Sequence, residues 1–557
     1  MKQAGTAFQA VVAESAKFQE NGGNEPATTW RVLVSDPISE KGIEKLQESG
    51  DLEVTVKTDL SPEALLAEIG EYDGLVVRSQ TKVNAAVIAA GKRLKVIGRA
   101  GVGIDNVDVD AATARGVIVL NAPEGNTISA AEHTMALILS VARSVPQAHQ
   151  VVKEGRWDRK SFMGVELAGK ALGVIGFGRI GREVSRRALA FKMQVLVYDP
   201  FFPEEKAREM GVVPAEIPQI LEEADFITVH VPLTKETNHL LDARAFARMK
   251  DGVRIVNCAR GGIVDEEALY EALKSGKVAA AGLDVFEKEP PGLTALIQHP
   301  NVVVTPHLGA STQEAQENVA IDVAEELAKA LRGEAVKNAV NIPHVPPEAL
   351  AMVKPFMNLA ERLGSFHAQL VGGRIQQVEV LYSGLLSDLN VGLLTTAVLK
   401  GLLHPILGDV NIVNAAFLAR QRGIRVVESR QRNGADGDYS NLITLTVQTD
   451  RGRRKVSGTL FGKADARIVQ VDDFHVDAIL AGTMLVCPHI DRPGIIGKVG
   501  TVTGKAGINI ATMQVGRQDA GGPAVMILGI DQPPSLEVLK ELRAIPGVQD
   551  VHLVEIN

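Results

Sequence analysis

Three ionisable residues in the middle of the chain have the types and settings needed to move a hydride and a proton together: Arg260 in NCARGGIVDE, Glu289 in DVFEKEPP and His307 in VVVTPHLGAS. Each stands at or near the end of a predicted strand, and strand ends are where open α/β sheets bind ligands. A carbon that gives up a hydride must lose its hydroxyl proton in the same event. Imidazole exchanges protons near neutral pH, so His307 is the candidate general base. A carboxylate beside it would orient the ring and stabilise its protonated form, a role for Glu289. Arg260 offers a forked cation that can clamp a 2-hydroxy-acid carboxylate and polarise the carbonyl in the reverse direction. Taken singly, each has a plainer reading, as a satisfied core histidine or a surface charge.

A hydride needs an acceptor. Gly176-Phe-Gly178-Arg-Ile-Gly181 follows the strand-like ALGVI and opens a helical pattern, and Asp199 stands eighteen residues on, at the end of QVLVYD. The first glycine permits the tight turn, the second admits a pyrophosphate to the backbone, and the third lets helix close on strand; the helix N-terminus favours the anion. Asp199 should accept hydrogen bonds from the adenosine ribose hydroxyls and repel a 2′-phosphate, and Pro200-Phe201-Phe202 offers no Arg to welcome one. NAD is therefore expected rather than NADP. A second cluster, Gly98-Arg-Ala-Gly101-Val-Gly103, lacks the third fingerprint glycine. Its backbone N–H groups could hold a substrate carboxylate, or it is only a tight turn.

The elements that must position these residues show in the apolar rhythm. From Arg31 to about Asn121, the runs RVLVS, EVTV, GLVV, KVIG and VIVL alternate with helical patterns, and the alternation restarts with ALGVIG, QVLVYD, FITVHV, VRIVNC, AGLDV and VVVTPH. Ser129-Ala-Ala-Glu132 has the spacing of a capping box, so a helix is expected to start there and carry the chain into the second unit. Ser311 to Leu331 reads as a return helix. From about Val345 to Leu480 the pattern becomes helix, then strands such as LITLTVQ and KVSGTLF about a turn at Thr449 to Arg454. The last segment reads strand, helix, strand, strand, helix, strand, which is the ferredoxin-like plan.

With these settings in place, NCARGGIVDEEAL, GLDVFEKEPP and TPHLGAST, after GFGRIGREV, resemble the signature segments of the D-2-hydroxyacid dehydrogenase family, a likeness that covers Arg31 to about Gly333. The resemblance implies catalytic roles for Arg260, Glu289 and His307. RSQTKV, GRAGVGIDNVD, NAPEGNTISAAEHT and GRWDRKSFMG are similar to the branch of that family that oxidises 3-phospho-D-glycerate to 3-phosphohydroxypyruvate, the opening step of L-serine biosynthesis. By that likeness Arg78 and Ser79 should hold the anionic ends of the substrate, with Gly101 and Asn126 at the cleft. Val102, Arg179, Ile180, Cys258, Asp284 and Gly309 should join Gly176, Gly178, Gly181 and Asp199 around the cofactor. The segment from Gly155 to Lys160 is similar to the family's dimer contact, where Trp157 would pack into the neighbour and Arg159 reach its active site; ordinary core packing is the other reading of Trp157.

The C-terminal unit resembles an ACT domain, with His489, Asp491 and Asn509 at positions where such domains bind an amino-acid effector, here by implication L-serine. A purely structural dimerisation module is the competing reading. The expected plan is α/β: two Rossmann-like doubly wound parallel-sheet domains, then an α+β intervening domain and a ferredoxin-like ACT domain. In residues, this gives an extension over 1–30, frayed or weakly helical; a discontinuous substrate-binding domain over 31–127 and 308–335; and an NAD-binding domain over 128–307. An intervening domain, similar to an allosteric substrate-binding domain, follows over 345–480, and the ACT domain over 482–557.

The bulk numbers agree with a multidomain enzyme. At 557 residues the chain is too long for one core, and 45% apolar with 23% charged residues is ordinary for folded proteins. A net charge of −8 gives no reason to expect nucleic acid or an anionic membrane as partner, and an anionic substrate would need local cations. Cys258 and Cys487 are the two cysteines, which excludes a disulfide framework or a multi-cysteine metal site and suits a reducing cytoplasm; no metal is expected. A homodimer or homotetramer is expected. Two rivals remain: the same chemistry on another 2-hydroxy or 2-oxo acid such as 2-oxoglutarate, and a non-catalytic NAD(H)-sensing protein on this fold.

Overall fold

The computed structural model describes residues 29–343, 347–432, 439–462 and 464–556. The extension expected over 1–30 lies, through residue 28, outside the described residues.

Val32, Leu33 and Val34 are each fully buried, the mark of a strand covered on both faces. They belong to β1 (Trp30–Val34), the second strand of a five-stranded sheet with β2 (Leu52–Val56), β3 (Gly74–Val77), β4 (Val96–Arg99) and β5 (Ile118–Asn121) in the order β2-β1-β3-β4-β5. Every pairing is parallel, so each strand is followed by a crossover and all its C-terminal ends face one way. The second sheet holds β6 (Ala171–Ile175), β7 (Gln194–Tyr198), β8 (Val213–Pro214), β9 (Phe226–Val229), β10 (Val253–Asn257), β11 (Val278–Leu283) and β12 (Val302–Val304). Its order, β12-β11-β10-β9-β6-β7-β8, reverses direction at β6, which is where such sheets open a crevice for ligand.

Helix α1 (Thr127–Arg143) joins the two sheets and buries Ala131, Leu137, Ile138 and Val141 against the second. The expected capping box does not form. Asn126 stands at the N-cap, Ser129 lies one turn inside and bonds Thr312 Oγ1 at 2.7 Å, and Glu132 pairs with Arg187. The S-x-x-E spacing served a contact between elements rather than the helix start. A short α2 (Val145–Lys153) follows with no buried residue, and α3 (Arg179–Ala190) opens directly after Gly178, with Gly181 on its first turn. The return helix, α4 (Gln313–Leu331), is capped by Thr312 and packs Val319, Val323 and Leu327 onto the first sheet.

Beyond it, α5 (Pro347–Leu370) and α6 (Gly392–Leu407) cover a six-stranded mixed sheet of β13 (Ile375–Gly384), β14 (Arg425–Gln431), β15 (Asn441–Thr449), β16 (Gly452–Phe461), β17 (Asp465–Val471) and β18 (Phe474–Ile479), ordered β14-β13-β15-β16-β17-β18. The last unit is β19 (Gly482–Ile490), α7 (Ile495–Lys505), β20 (Ile510–Arg517), β21 (Pro523–Ile530), α8 (Leu536–Arg543) and β22 (His552–Ile556), an antiparallel sheet ordered β20-β21-β19-β22 with both helices on one face. Its other face shares one apolar core with α5 and the six-stranded sheet, through Met484, Val486, Val525, Ile527 and Val554. The expected fold class is the one found.

Candidate active site

The two parallel sheets turn the C-terminal ends of β3, β4, β10, β11 and β12 into loops that carry the candidate residues. His307 and Glu289 are brought together: His307 Nδ1 lies 2.8 Å from Glu289 Oε2, with about half of the imidazole exposed. Glu289 is fixed in turn by Phe286 N, which donates to Oε1 at 3.2 Å. The backbone of His307 sits at φ +55°, a left-handed conformation that a non-glycine residue holds only where its surroundings impose it. Those surroundings centre on Asp284, which is 1% exposed. Its carboxylate accepts from Thr305 Oγ1, Leu308 N and Gly309 N, and its carbonyl accepts from His307 N. Burial pushes the Asp284 carboxyl up, but hydrogen bonds from His133, Thr305, Leu308 and Gly309 outweigh it and hold the group below the usual carboxylate range. Cys258, whose Sγ is 3.6 Å from Asp284, is pushed well up by burial and by that negative charge, so it stays a thiol. Gly309 completes the cluster, since an added Cβ there would lie 3.0 Å from Cys258 Sγ.

Arg260 reaches across to the first sheet. A Cβ on Gly103 would lie 2.4 Å from its guanidinium, and its Nε is 3.5 Å from Asp105. Gly101, at φ +149°, is equally crowded by Arg99, whose guanidinium would meet a Cβ at 1.7 Å. Arg99 was absent from the residues read out of the sequence. Burial first, then the charges of Arg260 and Arg78, push its guanidinium down to about 10 against the opposing pull of Asp105 and Asp36. Its Nε is buried with no hydrogen-bond partner among the described residues. Three guanidinium groups therefore share this end of the cleft, with Arg78 following β3 in a loop whose amides are held by Asp36. Ser79 is exposed on the same loop, and Val102 lies between the crowded glycines, its carbonyl accepting from Asn121 Nδ2. The signal that could have found Arg99 is its place at the end of β4, the position shared by the other candidates.

The dinucleotide turn is formed as its glycines require. Gly176 has φ +100° and backs onto the His230 carbonyl, Gly178 has open space where its Cβ would be, and a Cβ on Gly181 would come 2.1 Å from the Gly176 carbonyl. No side chain caps α3, so its first N–H groups are left for an anion. Asp199 is held by Phe177 N and Phe201 N, one on each oxygen, at the end of β7. Arg179, beside Ile180 at the start of α3, pairs with Glu124 of the loop before α1. These features fit a bound NAD.

The remaining candidates lie away from this cluster or make other contacts. Asn126 stands at the N-cap position of α1 without a side-chain cap, and its Oδ1 is buried without a partner among the described residues. Arg159 is exposed on the segment after α2, and Trp157 is 81% exposed, which removes core packing as its reading. Of the three effector candidates, His489 is buried and bonded to the Cys487 carbonyl, Asp491 is paired with Arg517, and Asn509 donates to Asp531; no hydrogen bond links the three to one another among the described residues.

Comparison with known proteins agrees with this geometry. The family described as D-isomer specific 2-hydroxyacid dehydrogenase, NAD binding domain, matches residues 135–309; the D-3-phosphoglycerate dehydrogenase intervening domain matches 352–472, and the ACT domain 484–547. A D-3-phosphoglycerate dehydrogenase from Archaeoglobus fulgidus is 49% identical over 530 residues, covering 94% of this chain and 100% of that protein. One from Bacillus subtilis is 45% identical over 528 residues, covering 95% and 100%. Among solved structures, a D-lactate dehydrogenase from Aquifex aeolicus complexed with NAD and lactic acid is 31% identical, with a TM-score of 0.50 over 56% of this chain and 99% of that one. A glyoxylate reductase from Paecilomyes thermophila is 31% identical, with a TM-score of 0.52 over 57% and 99%.

Proposed function

The chain belongs to the D-3-phosphoglycerate dehydrogenase family, in the form that carries an intervening and an ACT domain, and from that premise we propose that it oxidises 3-phospho-D-glycerate to 3-phosphohydroxypyruvate, opening L-serine synthesis. The observation that carries the reading is the His307–Glu289 pair, half open to a cleft that also holds three guanidinium groups. Bound at the Gly176–Gly181 turn, NAD supplies the hydride acceptor. His307 Nε2 takes the proton of the substrate's 2-hydroxyl while Glu289, on Nδ1, fixes the tautomer and stabilises the imidazolium. Arg260 clamps the substrate carboxylate. Arg78 and Arg99 face the phosphate, with Ser79, Gly101 and Asn126 beside it; a substrate that carries two anionic groups suits a cluster of three guanidinium groups, and D-glycerate, with one, does not need it. Residues 31–127 with 308–335 form the substrate half and 128–307 the NAD half, closing on each other to exclude water.

The reading extends to assembly and control. Val145 and Val152 of α2, Trp157 and Met163 are exposed, and a groove of about 700 Å³ lined by Leu137, Pro146, Val151 and Val304 lies between α1, α2 and β12, which suits a face shared by two copies, with Arg159 carried to the neighbour. The opposed charges of Asp491 and Arg517 suit the two ends of an amino acid such as L-serine. Two buried, unbridged cysteines suit the cytoplasm. The test is NADH formation from NAD with 3-phospho-D-glycerate, D-glycerate and 2-hydroxyglutarate in parallel, with and without L-serine. Turnover is expected to be strongest on the phosphorylated acid; equal or better turnover of 2-hydroxyglutarate would replace that substrate, and no turnover despite NADH binding would replace the enzyme by a sensor.

A further inference from the structure

The loop that carries His307 is held by Asp284, and Asp284 is met from another element by a histidine with no role so far. His133 lies on the second turn of α1. Its Nε2 is 3.0 Å from Thr305 Oγ1 and 3.2 Å from Asp284 Oδ1. The Thr305 hydroxyl gives its own proton to Asp284 at 2.6 Å, so the oxygen it turns toward His133 is an acceptor, as is the carboxylate. The His133 Nε2 must therefore carry hydrogen and bridge both. One ring nitrogen thus ties α1 to the end of β11 and to the residue that starts the catalytic loop. The same carboxylate spends its other sites on Leu308 N at 2.7 Å and Gly309 N at 2.8 Å, the two amides that follow His307. His307 itself is pinned by the Asp284 carbonyl at 2.9 Å and held at φ +55°.

We propose that His133 is a positioning residue for the oxidation at His307, acting through Thr305 and Asp284 to hold the loop 305–309 in the one backbone conformation that sets the imidazole against Glu289; this rests on the reading of the site given above. Two alternatives are weaker. A metal held by His133, Cys258 and Asp284, whose donor atoms lie within 4.8 Å of one another, would compete for the Asp284 oxygens whose hydrogen bonds fix the loop. A direct catalytic role has no contact behind it: among the described residues His133 makes no hydrogen bond to Arg260, Glu289 or His307. Asp284 and Cys258, at the ends of β11 and β10, are its neighbours in that cluster, and Glu154 and Arg156 line the groove beside it.

The full-length enzyme and its His133→Ala, His133→Gln and Thr305→Val variants decide the matter by three readouts: steady-state rates, NADH affinity by fluorescence, and hydrogen exchange at Leu308 and Gly309. His133→Ala is expected to lower kcat about tenfold, since small misplacements of a reacting group cost up to about a hundredfold, with NADH affinity kept and faster exchange at both amides. Gln presents a donor at a similar reach and should restore most of kcat and the protection. Thr305→Val removes the same bridge from the other side and should behave as His133→Ala does. Wild-type kcat and wild-type exchange in His133→Ala would overturn the proposal, as would equal losses in Ala and Gln accompanied by lost NADH binding, which mark damage to the fold. If the wild type turns over no 2-hydroxy acid, the functional reading fails, and exchange at Leu308 and Gly309 still decides the clamp.

Discussion

Arg99 tests the phosphate end of the site. A half-buried guanidinium whose Nε has no partner among the described residues is costly unless a ligand offsets it, and hydrogen bonds to charged groups contribute about 1.5–3 kcal/mol. Arg99→Met should therefore raise KM for 3-phospho-D-glycerate by roughly 10- to 100-fold, with NADH affinity unchanged; an unchanged KM in steady-state assays would remove Arg99 from the substrate site. At this scale much could be read in advance. Arg260, Glu289 and His307 each follow a strand, and the geometry joins two of them by a hydrogen bond and sets the third against Gly103. Arg99 escaped because it sits inside a glycine cluster whose backbone drew the attention, although GRAGVG places a cation at a strand end. The clamp at Asp284 was beyond reach for another reason: which lone pairs a carboxylate has left depends on amides more than twenty residues away.

Elements fix what residues cannot. Gly181 shows how: it lies on the first turn of α3, and any side chain there would run into the Gly176 carbonyl at 2.1 Å. Gly181→Ala must push the helix off β6 or open the turn, so NADH affinity, followed by fluorescence titration, should fall by at least about tenfold, the effect of losing roughly 1.4 kcal/mol. Retained affinity would show that the turn adapts. Strands with unbroken apolar runs were legible, because burial on both faces removes polar alternation; β3 and β6 are examples. The two-residue β8 has too little pattern to register. β14, RVVESRQ, alternates as an edge strand with charged residues and gave no distinct signal beside the helical segments before it. Ser129 misled for a physical reason: a hydroxyl and a carboxylate three residues apart suit a cap, but here tertiary partners at Thr312 and Arg187 claimed them.

On the scale of the molecule, the C-terminal third behaves as one body, since the intervening sheet and the ACT sheet bury a single core between them. His367 lies inside that body, fully buried, with Nε2 on the Arg454 carbonyl and Nδ1 without a partner among the described residues. Burial pushes its imidazole down to about 4, from about 6.5 in the unfolded chain. The folded-state value is the lower one, so between pH 6.5 and 4 the unfolded chain binds a proton that the folded chain refuses. Stability from this group is present above pH 6.5 and lost as pH falls toward 4, by an amount on the order of 3 kcal/mol. Urea unfolding followed across that window should show the slope, and His367→Gln should flatten it; an equal slope in the variant would mean that His367 takes up its proton without unfolding. The division into two parallel sheets, a mixed sheet and a ferredoxin-like end was legible from the order of runs. The shared core was not, because nothing in a strand's pattern says which domain will cover its second face.

The central claim is that His307, positioned by Glu289, takes the substrate's proton while NAD is held at the Gly176–Gly181 turn. The most direct measurement is kcat/KM for oxidation of 3-phospho-D-glycerate by NAD in His307→Asn, with NADH affinity determined on the same preparation. Loss of a general base costs about 10²- to 10⁴-fold, so the account predicts a fall in that range with NADH binding unchanged. Activity within a few-fold of the wild type, on a variant that still binds NADH, would contradict it.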